Sequence, residues 1–509
     1  MDLKLKLGYE KIIGVLEENK LLVEYKLKNR DGEINYISYN SKDVKPGTLF
    51  FCKGGLTAVF KEEYLTEAVS KGTVCYVSEK KFDADNNADY FIVNDIRKSI
   101  SILAPLYYDY PYKNFCLTGI TGTKGKTTVS FFMKNICDEY TGSLTGFTST
   151  NQIYTGKRNE PGKLSTPEPC DLQKYFHEAV ESGIDYFTME VSSQAYKTER
   201  VYGVDFDYGM FLNIAEDHIS PMEHEDFDDY LNCKLKFIKN CSNVVINSET
   251  DCLDRVLRAA ENADNIILYG SESNRYNCDY YSVDIKTVGD LIYFYAKSDK
   301  YNYFEQFAIK MQGLFNVENA LAAIAMAKTM GIDDESIRRG LIKTEVPGRM
   351  TIFENGGITV IVDYAHNFLS FEKLYEVLKT KYGGRRIISV GGTPGGRHLR
   401  RRRDFADIVG GSSDYVYLTA DDPYFEDVTD ICEDIASTII DTPYEIIVDR
   451  KTAVTKAIST AKHGDVVVLL AKGAEIYQKI GSNLVPYDSD LVIAQNVLNA
   501  LSENIPAMI

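Results

Sequence analysis

The hydrophobic pattern of this chain repeats one unit: a short apolar run, a polar or glycine-rich turn, then a longer stretch with helical spacing. Residues 186–190, Tyr-Phe-Thr-Met-Glu, follow a helical stretch over 171–182, and the runs 208–213 and 244–246 repeat the arrangement. Strands that alternate with helices predict a parallel sheet covered on both faces. Ligands gather at the carboxyl ends of such strands, where Glu190 and Asn213 stand. After Val346-Pro347-Gly348-Arg349 the alternation restarts, with apolar runs at 358–363, 387–390, 415–418 and 466–470. That predicts a second doubly wound, Rossmann-like unit.

Towards the N-terminus the runs are shorter and alternate residue by residue, as at 34–39 and 74–77, and Pro46-Gly47 is a turn leading into a strand. Residues 282–309 predict a small antiparallel set, and Gly313 opens an alanine-rich helix through Ala327. A chain of 509 residues is too long for one core, and about three domains are expected. The predicted fold is α/β, with an N-terminal α/β domain at 1–113, a central parallel-sheet domain at 114–344 and a C-terminal Rossmann-like domain at 345–509.

Composition narrows the partners. The formal net charge of −17 argues against nucleic acid or an anionic membrane as the main partner, without forbidding a local basic pocket. The ten cysteines include no C-x-x-C pair, so reduced thiols in a cytoplasm fit better than a zinc ribbon or a disulfide framework. No run approaches the ~18 apolar residues of a membrane span, and the N-terminus lacks a signal-peptide core.

The strongest chemical signal is residues 117–128, Leu-Thr-Gly-Ile-Thr-Gly-Thr-Lys-Gly-Lys-Thr-Thr, between an apolar lead and the run from Val129. It reads as strand, tight loop and helix. Small residues let backbone N–H groups close on phosphate oxygens, and the helix N-terminus adds positive potential. Lys126 would reach the β and γ phosphates, and Thr127 would hold Mg²⁺. Five residues separate Gly119 from Gly125, one more than the general phosphate-loop pattern allows.

Other candidates read two ways. Glu190 is either a Mg²⁺ ligand or a helix-capping acid. His218, beside Asp217, is either a ligand or structural. Lys234, with Lys236 close by in a helical segment, reads by itself as a surface lysine. In the last domain, Gly391–Arg397, Asp421-Asp422-Pro423 and Lys472-Gly473-Ala474-Glu475 form polar loops at strand ends, half of a substrate site. The outer arginines of the run 397–403 read as a solvated helix face.

Together these loops resemble the Mur ligases, the ATP-dependent amino-acid ligases of peptidoglycan precursor synthesis, over nearly the whole chain, and most of all the family's tripeptide-synthetase (MurE-type) branch. The family's T-G-T-N-G-K-T-T loop stands here as residues 121–128 with Lys124 for asparagine, and its glycine spacing is the one found. The M-E-V-S-S-H stretch appears at 189–194 with Gln194 for histidine, and Asn213, Asp217 and His218 resemble its N-L-x-x-D-H stretch. The resemblance implies ATP at Gly122, Thr123, Gly125, Lys126, Thr127, Thr128, Asn316, Arg349 and Asp363, with Asn319 on the adenine side. It implies Mg²⁺ on Thr127, Glu190, His218 and Lys234, the last as a carbamate, and catalytic roles for Lys126, His218 and Lys234. A UDP-linked muramoyl peptide would meet Ser41, Ser165, Thr166, Ser192 and Arg200.

The reaction implied is carboxyl activation by ATP to an acyl phosphate, attack by the amine of a free amino acid, and loss of phosphate, with closure of the domains that carry the two sites. Arg397, Asp421, Asp422, Gly473 and Glu475 match positions that grip the amino acid. Family members that add diaminopimelate carry D-N-P-R, whose arginine binds the distal carboxylate, whereas this chain has Asp421-Asp422-Pro423-Tyr424. A diamino acid with one carboxylate, L-lysine, is expected, in a cytoplasmic monomer. Rival readings are another Mur step or meso-diaminopimelate, a folylpolyglutamate synthase, a P-loop NTPase acting as a switch, and an inactive binding protein.

Overall fold

The computed structural model describes residues 5–55, 59–82, 88–217, 219–220, 223–396 and 399–503. In the N-terminal part, α1 (Tyr9–Glu18), β1 (Leu22–Lys26), β2 (Tyr36–Ser38), β3 (Thr48–Phe51), α2 (Glu62–Ser70), β4 (Thr73–Ser78), β5 (Asp89–Val93) and α3 (Ile96–Tyr107) follow one another. They form a sheet of order β1-β5-β4-β3-β2, antiparallel only at β1–β5. Ile12, Ile13 and Leu16 of α1 share a core with Leu49, Phe51, Val77 and Phe91 of the sheet. The alternating run 34–39 does not make one strand. Glu33–Ile34 pairs with Leu7–Gly8 while β2 pairs with β3. Asn35, between them, donates its N–H to the Gly47 carbonyl at 2.9 Å, and the chain changes partner there.

The next elements are β6 (Cys116–Thr121), α4 (Lys126–Thr141), β7 (Gly146–Thr148), α5 (Pro169–Glu181), β8 (Tyr186–Glu190), α6 (Ser193–Lys197), β9 (Phe206–Phe211), α7 (Phe227–Lys239), β10 (Cys241–Asn247), α8 (Leu253–Ala259) and β11 (Asn265–Ser271). After them come β12 (Tyr280–Val288), β13 (Leu291–Ser298), β14 (Tyr303–Ile309), α9 (Leu314–Thr329) and α10 (Asp334–Lys343). The strand order is β7-β8-β6-β9-β10-β11-β12-β13-β14, parallel from β7 to β12, with Ile153–Tyr154 and then Asn159–Glu160 pairing antiparallel beyond β7. The chain leaves β6 towards one side and returns to the other at β9. This is the switch point at which a crevice opens at the strands' carboxyl ends.

Two glycines decide how α7 lies on this sheet. Gly119 of β6 and Gly209 of β9 are register partners. A Cβ at Gly119 would stand 2.6 Å from the Phe237 ring of α7, and one at Gly209 would stand 2.3 Å from Cys241 Sγ and 3.3 Å from the same ring. The bare backbone therefore lets α7 approach, and Phe237 joins the core of Leu117, Phe187, Phe206 and Val244.

The C-terminal elements are β15 (Thr351–Asn355), β16 (Ile358–Val362), α11 (Phe368–Tyr382), β17 (Ile387–Gly391), α12 (Arg400–Asp404), β18 (Tyr415–Leu418), α13 (Val428–Ala436), β19 (Tyr444–Ile446), α14 (Arg450–Thr460), β20 (Val466–Leu469), β21 (Tyr477–Ile480), β22 (Asn483–Pro486) and α15 (Asp490–Glu503). The sheet order is β15-β16-β20-β17-β18-β19, antiparallel only at β15–β16. Ile361, Val466 and Val468 face one core, and Val360, Val362, Val467 and Leu469 face the other. A strand buried on both faces needs an unbroken apolar run, which is what 466–470 supplies.

By compactness the chain divides into two units. One comprises Met1–Ile285, Tyr293–Ala308 and Glu318–Lys343, the other Lys286–Ile292, Ile309–Val317 and Thr344–Ile509. All ten cysteines are free thiols. Among the described residues no helix is long and apolar enough to cross a membrane.

Candidate active site

The loop 122–125 leaves the carboxyl end of β6 and turns into α4 at Gly125, whose φ of +86° favours glycine. A Cβ there would stand 2.5 Å from Asn319 Oδ1. Asn213, at the end of β9, clamps the loop from the side. Its Oδ1 accepts from Lys124 N at 2.8 Å, its Nδ2 donates to Lys124 O at 3.2 Å, and its own carbonyl accepts from Thr123 N at 3.0 Å. The Thr123 hydroxyl lies 3.0 Å from the Tyr230 hydroxyl and accepts from Ala215 N at 3.0 Å. Lys124 pairs with Asp217 at 3.4 Å. Thr127 and Thr128 are buried in the first turn of α4.

Lys126 Nζ donates to the Gly122 carbonyl at 2.8 Å, and Lys234 Nζ donates to the same oxygen at 2.9 Å. Lys234 is 2 % exposed, which overturns its reading as a surface lysine. The apolar stripe of α7 is Tyr230, Leu231, Phe237 and Ile238, and Lys234 lies inside that stripe while Lys236 is exposed. With α7 drawn onto the sheet by Gly119 and Gly209, the lysine stem is buried and its nitrogen reaches the phosphate loop. Burial, and then the charge of Lys126, push Lys234 well below the ordinary lysine range, with Asp217 opposing.

Glu190 is buried at the end of β8. Its Oε1 accepts from the Thr127 hydroxyl at 3.0 Å and from Thr150 N at 3.0 Å. A hydroxyl and a carboxylate oxygen held together beside a phosphate loop are hard donors that suit Mg²⁺. His218, the remaining expected ligand, lies outside the described residues. Thr150 was not singled out in the sequence, because a threonine in a polar turn carries no signal of its own.

The residues expected to hold the nucleotide-linked substrate are brought together in part. Thr166 Oγ1 donates to the Glu190 carbonyl at 2.9 Å and accepts from Ser192 N at 3.0 Å. Ser165 Oγ lies 2.7 Å from Thr150 Oγ1, and Arg200 Nη1 donates to the Thr166 carbonyl at 3.1 Å. Ser41 stands apart from this network, its hydroxyl donating to Glu67 Oε2 at 2.6 Å. Three residues that the sequence did not mark join the cluster. Glu168 binds Lys53 and faces Arg200 Nε at 3.0 Å, and Arg97 donates to the carbonyls of Gly54 and Gly55. Burial works against the Glu168 charge, but Arg200 and Lys53 hold it below the usual carboxylate range. Glu168 also lines a cavity of about 270 Å³ with Tyr36, Tyr39, Tyr108 and Asp171.

His224, fully buried, links α6 to α7. One ring nitrogen is 2.9 Å from Ser193 Oγ and the other 2.9 Å from Asp229 Oδ2. Asp229 also binds Lys197 at 2.7 Å.

In the other unit, acids and lysines interleave at the carboxyl ends of β18 and β20. Lys472, 0 % exposed in its side chain, binds Asp422 Oδ1 at 2.8 Å and Glu475 Oε2 at 2.5 Å. Glu475 Oε1 accepts from the Tyr364 hydroxyl at 3.1 Å. Burial, and then the neighbouring Asp422 charge, push Asp421 up to about 7. Burial opposes the Asp422 charge too, but Lys472 and Lys479 hold it below the usual range. Asp422 is thus already paired within the chain. The loop geometry depends on Gly348, where a Cβ would stand 2.4 Å from Ala474 N.

Of the expected nucleotide contacts in this unit, the Arg349 guanidinium lies 4.6 Å from the centre of the Tyr364 ring. Asp363 accepts from Met350 N and Ala365 N, each at 2.7 Å, and burial raises its carboxyl with Arg349 opposing. Asn316 donates to Gln312 O at 2.7 Å, and Gly473 has φ +53°. Arg397 lies outside the described residues. Of the neighbouring arginines, Arg400 is exposed, but Arg402 is buried on Glu426 at 2.6 Å and Asp434 at 2.9 Å, so the solvated-face reading does not hold for it.

A phosphate loop on one parallel sheet and interleaved acids and lysines at the strand ends of a second fit the ATP-dependent ligase class of α/β protein. The Mur ligase middle domain matches residues 120–327, and the Mur ligase glutamate ligase domain matches residues 348–473. The chain belongs to the Mur ligase family. It is 38 % identical over 510 residues to a UDP-N-acetylmuramyl-tripeptide synthetase of Latilactobacillus sakei, covering 96 % of this chain and 98 % of that one. It is 39 % identical to a UDP-N-acetylmuramoyl-L-alanyl-D-glutamate–L-lysine ligase of Enterococcus faecalis, covering 92 % of each. Among solved structures, a UDP-N-acetylmuramoyl-L-alanyl-D-glutamate–2,6-diaminopimelate ligase shares the fold, with TM-score 0.62 at 22 % identity over 98 % of this chain and 99 % of that one.

Proposed function

We propose that the chain is an ATP-dependent ligase that adds L-lysine to UDP-N-acetylmuramoyl-L-alanyl-D-glutamate in peptidoglycan precursor synthesis. It would work as a cytoplasmic monomer, with domains bounded near residues 113 and 344. The observation that carries this reading is the meeting of Lys126 and Lys234 on the Gly122 carbonyl, beside the paired Thr127 and Glu190. The relative named as an L-lysine ligase supports the choice of amino acid.

The loop N–H groups and Lys126 would hold and neutralise the ATP phosphates, and phosphoryl transfer needs little beyond such positioning and charge. The substrate carboxylate oxygen would attack the γ-phosphorus, and ADP would leave. The amine of lysine would then attack the acyl carbon, forming the amide and expelling phosphate, with the amine's proton passing to solvent. Thr127 and Glu190 would hold Mg²⁺, with His218 and a carbamylated Lys234 serving a second ion. The metal would supply charge neutralisation at the phosphates. A carbamate forms from a neutral amine, and a lysine buried as Lys234 is favours that form. Ser165, Thr166, Ser192 and Arg200, with Ser41 further off, would meet the nucleotide-linked peptide. Arg397, Asp421, Asp422, Gly473 and Glu475 would meet the amino acid.

The test is phosphate release with ATP, Mg²⁺ and UDP-N-acetylmuramoyl-L-alanyl-D-glutamate, adding candidate amino acids singly. Turnover with L-lysine is expected. Turnover with meso-diaminopimelate alone keeps the ligase and discards the choice of amino acid. Release independent of any amino acid discards the ligase.

A further inference from the structure

The second unit places a cation where the sequence suggested none. Lys479, on β21, comes from a different loop than the Asp421-Asp422-Pro423-Tyr424 turn, yet its Nζ stands 3.4 Å from Asp422 Oδ2. The two lysines on Asp422 are held differently. Lys472 is fully buried and lies 2.8 Å from Oδ1, which also accepts the Lys479 N–H at 3.0 Å. The Lys479 side chain is 33 % exposed and longer in its contact. Its ammonium lies 6.0 Å from the centre of the Tyr424 ring and 5.8 Å from that of Tyr477. Oδ1 is therefore held by a buried lysine, whereas Oδ2 is covered by the partly exposed one.

An ammonium on a flexible stem, over aromatic rings and against a carboxylate, is also what the far end of a free lysine would present. We infer that Lys479 is a specificity-determining residue of the amino-acid site: it holds the Asp422 Oδ2 position that the distal ammonium of the incoming amino acid takes, and is displaced by it. The inference rests on the ligase reading above. Exchange of one ammonium for another leaves Asp422 paired. A neutral side chain displacing Lys479 would leave Oδ2 without a cation, Lys472 staying on Oδ1, and that is unfavourable for a buried carboxylate oxygen. A second carboxylate on the amino acid would join Asp422 and Glu475, whose charges Lys472 and Lys479 already meet. The site would thus reject norleucine for want of charge and diaminopimelate for excess of negative charge.

The experiment is steady-state kinetics with saturating ATP and UDP-N-acetylmuramoyl-L-alanyl-D-glutamate. Removing the competitor with Lys479→Met should lower the KM for L-lysine about tenfold, one decade of apparent affinity. Lys479→Arg, which keeps the charge, should not lower it. In the Lys479→Met/Asp422→Asn pair, with the Oδ2 ion pair gone and Lys472 still on Glu475, L-norleucine should become a substrate, and L-lysine should lose the advantage given by the single change. Melting curves confirm that each variant is folded. A lysine KM that is unchanged or raised in Lys479→Met, or a double variant that still refuses norleucine, overturns the inference. Failure of the wild-type chain to use any amino acid overturns the ligase reading instead.

Discussion

Lys126 and Lys234 share one acceptor, the carbonyl of Gly122, at 2.8 and 2.9 Å. Two ammonium groups on one oxygen are costly while both are charged, and Lys234 is the one whose burial favours losing its proton. The pairing makes the phosphate loop the meeting place of two helices, α4 and α7, rather than of α4 alone.

Lys234→Met keeps the apolar stem and removes the nitrogen. We expect ligase activity to fall by about a hundredfold or more, the scale for loss of one electrostatic contact at a transition state, with the melting temperature unchanged or raised. Labelled bicarbonate should give a carbamate carbon signal by NMR in the wild type and none in the variant. Wild-type activity in Lys234→Met removes the lysine from the mechanism.

Gly119→Ala would set a methyl 2.6 Å from the Phe237 ring and 2.9 Å from Phe206. Overpacking of this kind costs about 1–3 kcal/mol. Because α7 must retreat, Lys234 retreats with it. The expected outcome is a lower denaturation midpoint together with a kcat deficit at temperatures where the variant is fully folded. A stability loss with kcat intact would show that α7 relaxes without moving its lysine.

Arg450 and Asp490 are both fully buried and joined by two bonds, Nε to Oδ1 at 2.9 Å and Nη2 to Oδ2 at 2.6 Å. Arg450 also donates to the Ala420 and Leu470 carbonyls, tying together the strand ends that carry Asp421 and Lys472. Removing one partner of such a pair costs about 3–5 kcal/mol. Arg450→Met should destabilise the C-terminal unit by that order in urea and raise the KM for the amino acid. A variant as stable as wild type would remove the brace.

Asp421 gives a pH dependence of definite sign. An unfolded aspartate titrates near about 3.9, whereas the folded one is pushed up to about 7 by burial and then by Asp422. The folded state therefore binds the extra proton between those values, and stability falls as pH rises from about 4 towards about 7. An asparagine in its place cannot ionise. The melting-temperature advantage of Asp421→Asn should be smallest below about pH 4, grow between about pH 4 and about pH 7 and level off above that. An advantage that is the same on the acid and alkaline sides of that range contradicts the assignment.

By itself the sequence determined the alternation of strands and helices, the phosphate loop with Thr127 at its helix start, and the polar loops at the carboxyl ends of β8, β9, β18 and β20. Those features are local: periodicity, glycine and capping residues act within a few positions of the chain. The position of Lys234 was half legible, as a lysine inside the stripe of Tyr230, Leu231, Phe237 and Ile238. Which side of α7 met the sheet depended on Gly119 and Gly209, two glycines on neighbouring strands whose pairing no local pattern reveals. The split of the run 34–39 was decided in the same way, because its two halves take different partners. The charges at Asp422, Glu168 and Arg402 were decided by tertiary structure alone. Each is set by partners from distant segments (Lys472 and Lys479, Lys53 and Arg200, Glu426 and Asp434), and a charge has no periodicity that marks which opposite charge it will meet once burial removes the water between them.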